Sequence, residues 1–190
     1  MNRMLIAGVG NIFLGDDGFG VEVAGRLAHA DLPGWVRVAD YGISGMHLAY
    51  DLAEGYETTI LIDAAPRGDV PGTVYVIEPE ITASRGNPLL DGHGMQPDVV
   101  FGMLDLLGAD AGRVLVVGCE PASVEEGIGL SPPVAAAVDE AVRIVLDLVR
   151  TVAATSADTS ASNHQARDQS AAADVSAGDG RGSDVPWHTR

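Results

Sequence analysis

Two aspartates and one histidine have the side-chain types and the settings that metal chemistry requires. Asp17 follows a glycine-rich loop after the first apolar stretch, and Asp63 directly follows the apolar run at residues 59–62. His93 lies between two glycines, which keep its imidazole accessible. If these groups meet at one edge of a sheet, they form an open three-ligand metal site. Taken singly, each also has an ordinary explanation as a helix cap, a turn residue or a solvated loop side chain.

An open site of this composition supports two kinds of chemistry. A metal bound during the reaction can polarise a carbonyl or activate water, because positions remain for water or a substrate group. The same ligands can instead recognise a metal that another protein carries. Residue types do not separate these roles, and a metal-binding accessory protein or sensor without hydrolytic activity would use the same three ligands.

The glycines at residues 8–20 suggest nucleotide binding as an alternative function. Small residues after a strand let a pyrophosphate approach the backbone, and Asp40 ends the second predicted strand, where a ribose-binding carboxylate would lie. The glycine spacing differs from the dinucleotide fingerprint, however, and Asp16 and Asp17 place negative charge where a pyrophosphate should sit. The loop therefore suits a cation better, and an NAD-binding oxidoreductase domain is the weaker interpretation.

The remaining candidates for chemistry are a thiol and three imidazoles. Cys119 is the only cysteine, which excludes an internal disulfide, and its place after an apolar run favours a buried thiol over a nucleophile. His47 falls in an apolar helical segment, where a structural histidine with a hydrogen-bond partner is the favoured interpretation. His164 and His188 lie in the C-terminal segment, away from the predicted domain.

The predicted strands and helices that must position these residues alternate along the chain. Runs rich in Val and Ile predict five strands, at residues 4–7, 36–39, 59–62, 73–77 and 114–117. Helical spacing is present at residues 21–28, 46–53 and 99–107, and from Ser131 and Pro132, an N-cap and a first-turn proline, to about Arg150. This alternation predicts a single three-layer α/β domain, with a twisted, mostly parallel five-stranded sheet between helices. The fourth strand is predicted to be antiparallel, because only a brief connection precedes it.

Composition limits both the class of protein and its partners. The 190 residues are 46% hydrophobic and 20% charged, which is typical of a soluble globular protein. All basic residues are Arg, and the formal net charge of -16 argues against nucleic acid and anionic lipid as partners. The apolar stretch at residues 4–10 is too short for a signal sequence or a membrane span, so a cytoplasmic protein is expected. Residues 1–150 are predicted to form the domain, and residues 151–190, rich in Ala, Ser, Asp and Gly, a disordered tail.

Six motifs taken together resemble the maturation proteases of nickel-iron hydrogenases, over roughly residues 3–150. They are Gly-Val-Gly-Asn at 8–11, Asp-Asp-Gly-Phe-Gly at 16–20, the segment 40–46, Ile-Asp-Ala at 62–64, His93 in its glycine-flanked loop, and Gly-Leu-Ser-Pro at 129–132. Each motif alone is common, whereas their order and spacing are specific to this family.

The resemblance implies a function, a ligand set and a partner. It implies an aspartyl-type endopeptidase that removes a short C-terminal peptide from the nickel-loaded precursor of a nickel-iron hydrogenase large subunit. The metal-contacting and catalytic positions of the family fall on Asp17, Asp63 and His93, and Asp16 is expected to support the loop without binding metal. The nickel is expected to arrive with the precursor, and the enzyme is expected to be a monomer.

Overall fold

The structure is a computed structural model that describes residues 3–79, 100, 104 and 108–175, with side chains described up to residue 155. Its strands are β1 Met4–Val9, β2 Val36–Gly42, β3 Thr58–Ala64, β4 Val74–Ile77 and β5 Arg113–Cys119. Its helices are α1 Phe19–Leu27, α2 Gly45–Ala53 and α3 Pro132–Val175, and a 3₁₀ turn, Gly15–Gly18, precedes α1. All five predicted strands are therefore confirmed, whereas most of the helix predicted at residues 99–107 lies outside the described residues.

The sheet is mostly parallel, as the alternation of elements predicts. Its strand order is β2-β1-β3-β5-β4. The pairs β1–β2, β1–β3 and β3–β5 are parallel, and β4 runs antiparallel to β5 at one edge. β1 is buried along its whole length, as expected for an inner strand covered by helices on both faces. The carboxyl ends of β1, β3 and β5 consequently lie along one edge of the sheet.

Successive side chains of each strand point to opposite faces and enter two separate cores. On one face, Leu5, Ala7 and Val9 of β1 pack with Leu48 and Leu52 of α2. On the other face, α1 lies unusually close to the sheet: a Cβ at Gly8 would fall 2.3 Å from the carbonyl oxygen of Gly20, and a Cβ at Gly20 would fall 2.0 Å from that of Ile62. These two glycines set the distance between α1 and the strand ends that carry the candidate site.

The last helix begins where the sequence predicts and ends later. α3 starts at Pro132 and buries Val134, Val138 and Val145. It continues past Arg150, its predicted end, to Val175, because alanine is frequent in the segment that follows and neither Gly nor Pro interrupts it. The chain divides into two compact units, Met1–Leu148 and Val149–Arg190, and residues 176–190 lie outside the described residues. Disorder of the tail beyond Val175 stays a prediction.

Candidate active site

The 3₁₀ turn between β1 and α1 holds Asp17 at the carboxyl edge of the sheet. Its carboxylate Oδ2 accepts a hydrogen bond of 2.7 Å from the backbone N–H of Asn11. Gly10 makes this turn possible, because its φ of 126° is in a region that favours glycine and a Cβ there would fall 1.8 Å from the backbone oxygen of Asp17. Only 3% of Asp17 is exposed, so its carboxylate is a partly desolvated charge in a fixed place.

The structure brings Asp63 into electrostatic contact with Asp17. Asp63 is the penultimate residue of β3 and is half-buried. Burial, followed by the negative charge of Asp17, raises the pKa of Asp63 to about 8. A buried carboxyl group whose ionisation is disfavoured beside a second carboxylate forms an arrangement that a divalent cation would stabilise.

The third predicted ligand, His93, lies outside the described residues, in the segment 80–99. In the part of the chain that the structure does describe, no three His, Cys, Asp or Glu side chains are grouped closely enough to hold a metal ion. The structure therefore places Asp17 and Asp63 at the same edge of the sheet, whereas their role as metal ligands and the place of His93 stay predictions.

Asp16 has a different role from its neighbour, as the sequence predicts. Its Oδ2 accepts hydrogen bonds from the N–H groups of Ala122 and Ser123, at 2.8 and 3.1 Å, and from the Ser131 hydroxyl at 2.9 Å. Its Oδ1 accepts the N–H of Ser131 at 2.6 Å. Burial alone would raise the pKa of Asp16, but these hydrogen bonds together lower it. Asp16 thus binds the loop between β5 and α3 to the turn that carries Asp17.

Glu120, a buried carboxylate that directly follows β5, was not among the residues predicted from the sequence. Its Oε2 accepts the N–H of Arg67 at 2.6 Å, and its Oε1 accepts that of Gly68 at 3.2 Å. The hydroxyl of Tyr75 donates a 2.5 Å hydrogen bond to the carbonyl of Ala65 in the same loop. Glu120 therefore shapes the loop that leaves β3 just after Asp63. A charged residue at the carboxyl end of a buried strand was the available signal, but only the neighbouring Cys119 was a candidate from the sequence.

The weaker candidates have structural explanations. Cys119 is fully buried, and burial with the nearby charges of Asp16 and Glu120 raises the pKa of its thiol to about 12. His47 has the predicted partner, with Nδ1 2.9 Å from the Ser44 hydroxyl, but it is exposed at the surface of α2 and is not part of an apolar core. Asp40 is exposed and accepts the N–H of Gly42, which makes it a turn-forming residue. The close packing at Gly8, Gly10 and Gly20 explains the glycine-rich sequence that suggested nucleotide binding as an alternative.

Comparisons with known proteins identify the family and agree with the fold. A family model described as hydrogenase maturation protease matches residues 21–148. The hydrogenase 2 maturation protease of Escherichia coli (strain K12) is 31% identical over 149 residues, which cover 78% of this chain and 91% of that protein. The hydrogenase expression/formation protein HupD of Rhodobacter capsulatus is 35% identical over 144 residues, 74% of this chain and 68% of that protein. Among solved structures, the hydrogenase maturating endopeptidase HybD from E. coli matches with a TM-score of 0.69 and 31% identity, over 79% of this chain and 93% of that one.

Proposed function

This chain belongs to the hydrogenase maturation protease family, and from that premise we propose that it removes a short C-terminal peptide from the nickel-loaded precursor of a nickel-iron hydrogenase large subunit. The observation that carries the proposal is the position of Asp17 and Asp63 at the carboxyl edge of the sheet, where the negative charge of Asp17 adds to the effect of burial on the pKa of Asp63. Open α/β sheets place ligands at this edge, and the family is one of peptidases.

Nickel carried by the precursor is the proposed recognition signal. Asp17, Asp63 and His93 would contact it, and a set of two carboxylates and one imidazole suits a divalent ion of this kind. Without a cation, the Asp63 carboxyl group holds its proton near neutral pH, because burial and then the negative charge of Asp17 raise its pKa to about 8. A nickel-loaded precursor would displace that proton and make contacts that a nickel-free precursor lacks. Selectivity for the loaded precursor follows.

Hydrolysis of the peptide bond requires a proton acceptor for the attacking water and a proton donor for the departing amide nitrogen. We propose the same three residues, Asp17, Asp63 and His93, for these transfers, since carboxyl and imidazole groups perform general acid–base catalysis. The nickel of the precursor would also polarise the scissile carbonyl if the carbonyl oxygen occupied one of its open coordination positions. Asp16 and Glu120 hold the surrounding loops and do not exchange protons with the substrate in this scheme.

We further propose that the enzyme acts in the cytoplasm as a monomer. Its one cysteine is a free, buried thiol, which is compatible with a reducing compartment. A formal net charge of -16 opposes self-association. In the described part of the chain, no helix combines the length and the apolar character that crossing a membrane requires.

Mass spectrometry of the precursor tests the proposed function. Purified protein is incubated with nickel-loaded precursor and, separately, with nickel-free precursor. An Asp17→Asn variant is run beside Asp31→Asn, which changes an exposed aspartate away from the site. We expect loss of a C-terminal peptide only with nickel and only for the wild type and Asp31→Asn. An unchanged precursor mass in every reaction, from folded protein that still binds metal, would establish the accessory-protein alternative instead.

A further inference from the structure

Three large apolar side chains are exposed on the two loops that flank the turn carrying Asp17. Ile12 is 47% exposed and Phe13 60% exposed, both between β1 and the 3₁₀ turn, and Ile128 is 82% exposed, between β5 and α3. Exposed apolar residues scattered singly need no explanation, whereas a cluster beside a functional site marks an interaction surface. We call these three residues the apolar rim.

Backbone hydrogen bonds hold the two loops of the apolar rim together. The N–H of Gly127 donates to the carbonyl of Phe13, and the N–H of Gly15 donates to the carbonyl of Gly127, both at 2.9 Å. Leu14 and Gly127 form a parallel β-bridge between the loops. The side chains of the rim are therefore presented by a fixed backbone, which lowers the entropic cost of binding a partner.

A groove continues from the apolar rim between α1 and α3. Its volume is about 380 Å³, and its apolar lining is formed by Ile12, Val21, Ile128, Leu130, Ala135 and Val138. Arg26, which pairs with Glu22 and Asp139, lies at the groove as well. The rim and the groove together offer a concave, largely apolar surface beside the turn that carries Asp17.

The charge beside the rim indicates the chemistry of its occupant. Glu125 and Glu126 are exposed on the same loop as Ile128, and within the described residues neither carboxylate has an ion-pair partner. A second copy of this chain would bring the same negative charges against them, which is unfavourable for a protein of net charge -16. An apolar segment flanked by basic residues is complementary to both features.

The rim is continuous with the proposed catalytic site. The N–H of Phe13 donates to the Asn11 side-chain oxygen at 3.0 Å, and the N–H of Asn11 donates to Asp17. We propose that the apolar rim and its groove dock an apolar segment of the hydrogenase precursor that is flanked by basic residues, and so present the scissile bond to Asp17 and Asp63. This inference rests on the proposed function and identifies the surface that binds its substrate.

Substitutions at the rim separate docking from chemistry. The double variant Phe13→Ser/Ile128→Ser is compared with Tyr50→Ser, which removes an aromatic side chain of similar exposure, 56%, from α2 on the opposite face. Binding is measured with the nickel-free precursor, which the proposed reaction does not cleave, and kcat and KM are measured with the loaded precursor. We expect the double variant to weaken binding and raise KM by about tenfold or more with kcat retained, and Tyr50→Ser to stay within about twofold of wild type.

The charge component has its own test and its own controls. Glu125→Gln/Glu126→Gln should raise KM by about threefold at low salt, and the difference should vanish at high salt because exposed charges are screened.

Wild-type binding that the rim substitutions leave unchanged, or the absence of any binding by the wild type, overturns the docking proposal. A wild-type dimer that the rim substitutions dissociate in light scattering also overturns it, by assigning the rim to a second copy. Failure of the wild type to cleave a precursor that it binds through the rim refutes the proposed function alone.

Discussion

Asp16 accepts hydrogen bonds from both the backbone N–H and the side-chain hydroxyl of Ser131, at 2.6 and 2.9 Å, across 115 residues of sequence. The pair ties the turn that carries Asp17 to the start of α3. Because the hydroxyl of Ser131 donates to Asp16, the residue predicted as a helix cap also serves as an anchor for the candidate site. The two adjacent aspartates therefore have different roles: Asp16 has a structural role, and Asp17 has a proposed catalytic role.

Asp16→Asn should destabilise the fold. An amide replaces one of the two acceptor oxygens by an NH2 group, which faces the N–H of Ser131 in one orientation and those of Ala122 and Ser123 in the other. It also removes the charge that these donors stabilise, so we expect a loss of about 2 kcal/mol or more in the free energy of unfolding. Urea denaturation at pH 7 measures it, with Asp31→Asn as an exposed control. The hydrogen bonds lower the folded-state pKa of Asp16, so its contribution is present above the ordinary value of 3.8 and is lost as pH falls through the folded-state pKa. Equal stability of the two variants at pH 7 would contradict this role.

Gly20→Ala should disrupt the packing of α1 on the sheet. The added Cβ would fall 2.0 Å from the Ile62 carbonyl oxygen and 2.3 Å from that of Val9, and both are backbone atoms that cannot rotate away. We expect a loss of about 3 kcal/mol or more, or failure to fold. Gly25→Ala, on the same helix with no atom within 4 Å of the new Cβ, should instead be neutral or stabilising by up to about 1 kcal/mol. Thermal melts of both variants compare the two sites, and similar melting temperatures would mean that the close approach is not required.

Asp63→Asn should stabilise the metal-free protein as pH rises. The ordinary pKa of Asp63 is 3.8 and the folded value about 8, so between these limits the folded state binds more protons and the free energy of unfolding falls with increasing pH. Since the amide does not ionise, the free energy of unfolding of the variant should exceed that of wild type by an amount that grows from pH 4 to pH 8, to roughly 5 kcal/mol. Denaturation at several pH values with a chelator measures this difference. A difference that does not change with pH would show that Asp63 ionises normally.

The thiol of Cys119 should resist alkylation in the folded protein. Its pKa of about 12 and its complete burial leave little accessible thiolate at pH 8. We expect iodoacetamide to label the native protein at least about a thousandfold more slowly than the urea-unfolded protein, in which the thiol recovers a pKa of about 8.5. As the chain has one cysteine, intact mass reports the labelling directly. Rapid labelling under native conditions would make Cys119 a candidate reactive group.

The sequence was sufficient for features that depend on local pattern. Alternating apolar runs predicted the five strands, and the strand-end position of Asp63 with the loop position of Asp17 predicted that these carboxylates lie near one another. The second inference rests on the rule that parallel strands have their carboxyl ends at one edge of a sheet. The end of α3 was predicted too early, because a polar, alanine-rich segment is compatible with either a helix or a flexible tail.

The features that escaped prediction depend on residues far apart in sequence. Glu120 accepts N–H groups from residues more than 50 positions earlier, at Arg67 and Gly68, and nothing near Glu120 in the sequence identifies those donors. The apolar rim was likewise missed, since Phe13 and Ile128 become neighbours only through the bridge between Leu14 and Gly127. Exposure of an apolar residue is a property of the folded surface and has no local sequence signal.

The strand order also constrains how the protein can be made on the ribosome. β4 is synthesised before β5 but pairs with β5 alone among the described strands, and Arg113, the first residue of β5, lies 35 residues after Glu78, which follows β4. At translation rates of about 5 to 20 residues per second, β4 waits roughly 2 to 7 s for its partner. During that interval the nascent chain carries an unpaired strand and an open edge on β3, both of which attract other chains. A pause in translation between β4 and β5 would therefore endanger folding more than a pause within α3.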